Sequence, residues 1–151
     1  MTVPLILLDA GVLWLAVHPK GGSDSLDCGT WMHDLANKGY AFGVTEITDY
    51  ETRRKLIHQR KEEQLQRLNA LIQQMLYLPL TTAIMHRAAS LWADVRWRGW
   101  ATADPKALDA DVILGAQWES EHNRGRQALV ATTNVGHLRL VSDAREWRSI
   151  S

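Results

Sequence analysis

Cysteine is almost missing from this chain: Cys28 is the only one in 151 residues. It has no cysteine to bridge to and no Cys or His neighbours at zinc-site spacing, so a disulfide framework and a structural zinc ribbon are both excluded. A reducing compartment suits such a composition, and Cys28 itself reads as a small, partly buried apolar residue. Long apolar runs are missing too. The opening run to Leu8 is apolar, but Asp9 interrupts it. No basic n-region or small-residue cleavage site marks it as a leader. No stretch approaches the roughly 20 residues of a membrane span. The expectation is a cytoplasmic protein without a membrane partner.

An excess of charge is also lacking, with 17 basic residues against 17 acidic. A general nucleic-acid coat protein would be basic. A nuclease is not excluded, because carboxylates gathered at a metal site offset basic residues elsewhere in the sum. Repeats, low-complexity tracts and linkers are absent as well, so 1–151 reads as a single domain. Such a chain buries about 70% of its unfolded surface on folding.

What is present is an ordinary globular mixture, 46% apolar and 23% charged, in an alternating order. Val3 to Leu8 is a short continuous apolar run, as in a strand buried on both faces. A helix over Leu26 to Lys38 follows, with Gly39 placed to end it. Tyr40 to Thr45 reads as a second strand, and Thr45 or Thr48 as the cap of a helix carrying Tyr50, Glu51 and Leu56. Leu65, Leu68, Leu71 and Ile72 put a helix over Glu62 to Gln74. Met75 to Leu80 is a third strand. Thr81 or Thr82 caps a helix with Ile84, Ala88, Leu91, Trp92 and Val95. Arg98 to Lys106 reads as a loop, Leu108 to His122 as a helix, Ala128 to Thr132 as a fourth strand and Glu146 to Ile150 as a fifth. This order predicts an α/β domain: a three-layer α/β/α sandwich around a parallel sheet of about five strands.

Ligands in such sheets bind outside the C-terminal strand ends, near the point where strand order reverses. Asp9 stands there, directly after an apolar strand and before Ala10, Gly11, Val12 and Leu13. A carboxylate set in apolar sequence is costly unless it is paired, hydrogen-bonded or metal-bound; capping the next helix is the plainer use. Glu51 competes with Glu46 and Asp49, which point about 140° and about 200° away from it on a helix, so one of the three should face inward. A capping box from Thr48 to Glu51 is the plainer use here. Asp109 and Asp111 open the next candidate helix, one as its cap and the other as a ligand, though the helix dipole alone favours acids there. Gly115 and Ala116 mark a tightly packed stretch behind them. Thr132, Thr133, Asn134, Gly136 and His137 follow the fourth strand and could orient water or phosphate, or simply make a turn. His137 alone reads more readily as a structural histidine than as a base.

Four ordered segments carry a resemblance. They are Leu7-Leu8-Asp9-Ala10-Gly11, Val44 to Glu51, Asp111 to Ala116, and Ala131 to Leu138. Together they resemble the PIN domain, the fold of VapC-type toxin ribonucleases. The resemblance implies that Glu51, rather than Glu46 or Asp49, is the second acid and Asp111, rather than Asp109, the third. Thr132 and Asn134 match the last motif, in which many members carry an acid where this chain has the neutral Asn134. By this likeness, Asp9, Glu51 and Asp111 would hold Mg²⁺ or Mn²⁺, hard ions that suit oxygen ligands. Thr132 and Asn134 would complete the catalytic group.

The implied activity is metal-dependent endoribonuclease hydrolysis of RNA, leaving a 3′-hydroxyl and a 5′-phosphate. An antitoxin partner and a homodimer are implied with it. The alternative is a PIN-like RNA-binding or regulatory protein with little or no cleavage. Arg53 and Arg54, at the head of a basic stretch with Lys55, Arg60, Lys61 and Arg67, are the candidate substrate contacts; a solvated helix face is the plainer use. Trp97, Arg98 and Trp100 could stack bases. A haloacid-dehalogenase-like phosphatase also starts with a strand ending in Asp, but it needs a second Asp two positions on, where Gly11 stands.

Overall fold

A computed structural model describes residues 3–99 and 105–151. Its first strand, β1 (Leu5–Leu8), is buried at every position, as a four-residue aliphatic run must be when neighbours cover both faces. Helices α1 (Ala10–Val17) and α2 (Ser23–Asn37) follow, then β2 (Ala41–Thr45), α3 (Glu46–His58), α4 (Glu62–Gln74) and β3 (Leu76–Leu78). The chain continues through α5 (Thr82–Trp97), α6 (Pro105–Asn123), β4 (Ala128–Thr132), a 3-10 turn at Gly136–Leu140 and β5 (Ala144–Glu146).

All five strands are parallel, in the order β3-β2-β1-β4-β5. β1 is central, pairing Leu5 with Ala41 on one side and with Ala128 on the other. Alternation along β1 divides the core. Ile6 and Leu8 pack with Val12, Leu13, Leu35, Leu56 and Leu68, from α1 to α4. Leu5 and Leu7 pack on the other face with Leu114 of α6 and Leu138. Ala88, Leu91 and Val95 of α5 close on Leu108, Val112 and Ala116 of α6. The three-layer α/β/α architecture is therefore the expected one. Gly39 ends its helix in the left-handed region, at φ 93°.

Two boundaries depart from expectation. The fifth strand is Ala144–Glu146 rather than Glu146–Ile150, and Trp147–Ser149 turn into a short 3-10 helix. Trp147 is buried edge-on against Trp31, whose indole N–H donates to the Ile150 carbonyl at 2.9 Å. The apolar residues that looked like a strand are thus turned onto the core. The loop expected over Arg98 to Lys106 is shortened, because α6 begins at Pro105. Proline suits a first helical position, where its missing N–H would be unpaired in any case. Residues 100–104 of that loop, with Trp100, lie outside the described residues. Among the described residues no helix is long and apolar enough to cross a membrane.

Cys28 is fully buried, and its thiol faces the Val12 carbonyl at 3.8 Å. Burial pushes that thiol up to about 11, so it is an inert packing residue.

Candidate active site

The chain leaves β1 toward β2 and β3, and returns on the opposite side through β4 and β5. The reversal falls between β1 and β4, where the C-terminal strand ends open a crevice. Asp9 stands at that point as the N-cap of α1, with extended backbone angles. Its Oδ1 accepts from the Ala10 N–H at 2.8 Å, and its Oδ2 accepts from the Thr132 hydroxyl at 2.7 Å. The plainer use and the functional one therefore coexist: the same carboxylate caps a helix and faces β4.

Thr132 ends β4 with no exposed surface. Its oxygen also lies 3.1 Å from both the amide N and the carbonyl O of Asn134. A hydroxyl has one proton, and the shorter bond to a charged acceptor takes it. Thr132 therefore donates to Asp9 and accepts from the Asn134 N–H, which ties the turn after β4 to the end of β1. Thr133 leans over α1, where its hydroxyl would collide with a Cβ at Gly11. The absence of a side chain at Gly11 is what lets the two loops close.

α3 begins at Glu46, one residue after the Thr45 cap. This start places Thr48 inside the first turn, so the capping box from Thr48 to Glu51 does not form. The expectation that only one of three acids turns inward is also corrected. Glu46 accepts from the Leu80 N–H at 2.7 Å and anchors the start of α3 to the segment after β3. Asp49 is 8% exposed and is held by the Tyr77 hydroxyl at 2.8 Å and by Arg53 at 3.0 Å. Glu51 has a third role. Burial, then the carboxylate of Asp9, raise it to about 7, with Arg54 opposing and Asp111 adding to the rise.

Asp111 also departs from expectation in its local setting. With α6 starting at Pro105, neither Asp109 nor Asp111 is a cap, and Asp111 lies in the second turn. Burial, then Asp9, raise it to about 6, while His137 opposes. Asp9, Glu51 and Asp111 thus come from three separate elements and feel one another's charge. His137, read from sequence as a structural residue, lies near enough to Asp111 to oppose that rise. Asp109 is instead exposed, beside Met85 and Trp92.

The two candidate arginines differ. Arg53 is engaged with Asp49 and donates to Asn69 Oδ1 at 2.7 Å, fastening α3 to α4. Arg54 lies over the Tyr50 ring, 4.9 Å from its centroid, with its charge next to Glu51. Trp97 is 84% exposed, and Arg98 is paired with Asp94 at 3.1 Å. Among the described residues no three His, Cys, Asp or Glu side chains already stand close enough together to hold a metal ion.

No family model matches the chain, and no curated protein matches its sequence. Solved structures do match its fold. A chain of VapBC2 from Rickettsia felis, bound to a DNA fragment from its promoter, superposes with a TM-score of 0.70 at 12% identity, over 95% of this chain and 98% of that one. DNA-bound VapBC from Salmonella typhimurium gives 0.67 at 14% identity, over 97% and 99%. FitAcB from Neisseria gonorrhoeae gives 0.62 at 19% identity, over 96% and 99%. The likeness is one of fold, and that fold is the PIN-like sandwich.

Proposed function

We propose that this chain is a Mg²⁺- or Mn²⁺-dependent endoribonuclease, the toxin of a toxin–antitoxin pair, working in the cytoplasm. The observation that carries the reading is that Glu51 and Asp111 both lie within reach of the charge of Asp9, which stands at the switch point, and are pushed toward neutrality by burial and by Asp9. Half-buried carboxylates that repel one another are an unfavourable group on their own. A divalent cation relieves that repulsion, and an all-oxygen donor set suits a hard ion. Binding would draw the three carboxylates inward from their present separation.

The cation, when bound, lowers the pKa of a water and offsets charge growing on the scissile phosphate. The remaining work falls to the chain. Asp9 is oriented before substrate arrives, because the Ala10 N–H and the Thr132 hydroxyl hold one oxygen each. Arg54 offers a cation for a substrate phosphate beside Glu51. Asn134 would orient the attacking water, its backbone held by the Thr132 hydroxyl. The water oxygen bonds to phosphorus and gives up a proton to solvent, the bond from phosphorus to the 3′ oxygen breaks, and that oxygen takes a proton from solvent. A 3′-hydroxyl and a 5′-phosphate result.

A partner protein fits the same reading, since the solved structures that match this fold include VapBC and FitAcB assemblies. Met85, Ala88, Trp92, Val112 and Ile113 line a cleft of about 460 Å³ between α5 and α6. It would take the apolar side of an antitoxin or of a second copy.

The second reading is an RNA-binding or regulatory protein that does not cleave. The neutral Asn134 and the lack of a ready-made cation cage among the described residues favour it. One experiment separates the two: RNA cleavage with and without Mn²⁺, comparing wild type with Asp9→Asn. The nuclease reading expects cleavage that needs the metal and is abolished in a folded Asp9→Asn protein. Undiminished cleavage in that variant, or none in wild type, overturns it.

A further inference from the structure

Two lysines and an aromatic pair gather in the seam between α1 and α3, outside the carboxylate site. Lys55 Nζ lies 4.2 Å from the Trp14 ring centroid and Lys61 Nζ 5.2 Å from it. His18 lies against the same indole, with ring centroids 4.3 Å apart and the planes tilted by 33°. Its Nδ1 meets the Trp14 carbonyl at 2.7 Å, and its Nε2 meets Lys61 Nζ at 3.1 Å. Ammonium groups only donate. Nε2 must therefore be the acceptor, with the ring proton on Nδ1 and the imidazole neutral. Burial holds His18 below its ordinary value, against the pull of the Trp14 carbonyl, and Lys61 and Lys55 lower it further.

The backbone is arranged to bring Lys61 there. Arg60 adopts the left-handed region at φ 55°, a conformation usually left to glycine. The Arg60 and Lys61 amides donate back to Ile57 and Leu56, each at 3.0 Å, closing α3 in a tight reversal. The chain thus turns back, and Lys61 reaches the foot of α1.

Neither lysine forms an ion pair with a carboxylate among the described residues. Two like charges drawn onto one indole, with a neutral histidine holding one of them in place, make a site short of an anion. Its position says which anion. Lys55 is one helical turn beyond Glu51 on nearly the same face of α3. Trp14 lies on α1, the helix that Asp9 caps. A strand whose scissile phosphate sits among Asp9, Glu51 and Asp111 would bring a neighbouring phosphate to the lysines. A turn rises about 5.4 Å, and a stacked strand advances about 3.4 Å per nucleotide.

We infer that Lys55 and Lys61, set on Trp14 and His18, form a second phosphate site that holds single-stranded RNA one or two nucleotides from the cleavage point. The inference rests on the ribonuclease reading and adds the direction in which the substrate lies. It runs down the α1–α3 seam, away from the cleft between α5 and α6.

The test is binding of a labelled single-stranded RNA of about ten nucleotides in the Asp9→Asn background, followed by anisotropy from roughly 50 to 200 mM KCl. Lys55→Gln with Lys61→Gln should weaken binding about tenfold and flatten the log–log salt slope by about 1.4, near 0.7 for each lost single-strand phosphate contact. The double arginine variant, which keeps both charges, should bind nearly as the parent does. Lys38→Gln, beside Trp31 on another face, should leave affinity unchanged. Unaltered affinity and slope in the double glutamine variant, with a superimposable circular-dichroism melt, would overturn the inference. So would loss of binding to an acidic peptide with RNA binding intact, which would make this a protein-docking site. If the parent itself fails to bind RNA, the ribonuclease reading falls along with the inference. If wild type cleaves RNA and only the lysine effect is missing, the inference falls alone.

Discussion

The Thr132 hydroxyl donates to Asp9 Oδ2 at 2.7 Å, joining the ends of β1 and β4 across the point where strand order reverses. The bond is short, fully shielded at the Thr132 end and made to a charged acceptor, the class of hydrogen bond with the largest net worth. Thr132→Val keeps the side-chain shape but removes the donor to Asp9 and the acceptor for the Asn134 N–H. Unfolding free energy, measured by urea titration, should fall by about 2 kcal/mol. RNA cleavage should fall with it, because Asp9 Oδ2 then loses its anchor and only the Ala10 N–H still holds the carboxylate. Thr132→Ser, which restores the hydroxyl, should recover most of both.

Glu51 and Asp111 predict an unusual dependence of stability on pH in protein kept free of divalent ions. Their folded values, about 7 and about 6, lie above the ordinary carboxylate range. Between the ordinary value and the folded value, the native state binds more protons than the unfolded chain, so stability falls as pH rises through that window. The penalty is absent well below pH 4, grows to about pH 7 and is constant above it. In the presence of EDTA, the melting midpoint of wild type should therefore drop, relative to that of Glu51→Gln, between pH 4.5 and 7.5. Mn²⁺ should raise the wild-type midpoint at pH 7.5 and shrink the difference. A constant offset between the two proteins across the range would show that Glu51 is not held in this electrostatic setting.

Asp9 stood out in the sequence because a charge directly after four aliphatic residues must be compensated, and the helix cap that compensates it was also foreseen. Glu51 and Asp111 were not legible by periodicity, for different reasons. In α3, three acids found three roles, and the deepest, Asp49, is secured by Tyr77 from a different strand. Helical spacing carries no information about that partner. In α6, the helix starts at Pro105 and not at Leu108, which moves Asp111 from a capping position to an interior one. Resemblance, rather than angle, singled out Glu51 and Asp111, and the charge of Asp9 reaches both of them. The layer order was easier, because alternation in β1 and the helical stripes answer to burial alone. The seam between α1 and α3 was hardest to see, since Trp14 and Lys61 meet only after the chain has turned at Arg60.

Arg53 and Arg54 are neighbours with opposite expected phenotypes. Arg53 holds buried Asp49 and reaches Asn69, so Arg53→Ala leaves a shielded carboxylate with only Tyr77. A loss of about 1–3 kcal/mol in unfolding free energy is expected. Arg54 is exposed, and its removal should change stability by no more than about 0.5 kcal/mol. Arg54→Gln should instead weaken RNA binding and flatten its salt dependence. Guanidinium denaturation and anisotropy on the same two proteins check both halves. Equal destabilisation by the two substitutions would contradict the separation drawn between them.

Gly115 offers a test of how tightly α6 is seated behind Asp111. Alanine is the better helix former by about 1 kcal/mol, so propensity alone predicts that Gly115→Ala stabilises the protein. The surroundings predict otherwise. A Cβ at this position would lie 2.5 Å from Val141 Cγ2, 2.7 Å from Val141 Cβ and 3.0 Å from the Val141 carbonyl oxygen. Val141 is β-branched and nearly buried, so neither its side chain nor its backbone moves aside cheaply. Overpacking of this kind costs about 1–3 kcal/mol, which outweighs the propensity gain. Gly115→Ala should lower unfolding free energy by roughly 1 kcal/mol and reduce cleavage by shifting Asp111 one turn away. Val141→Ala removes the Cγ2 clash, the closest of the three, and leaves the Cβ and carbonyl contacts. The double variant should therefore be more stable than the sum of the two single substitutions, with a coupling of about 1 kcal/mol in a double-mutant cycle. Strict additivity would mean that α6 does not rest on Val141.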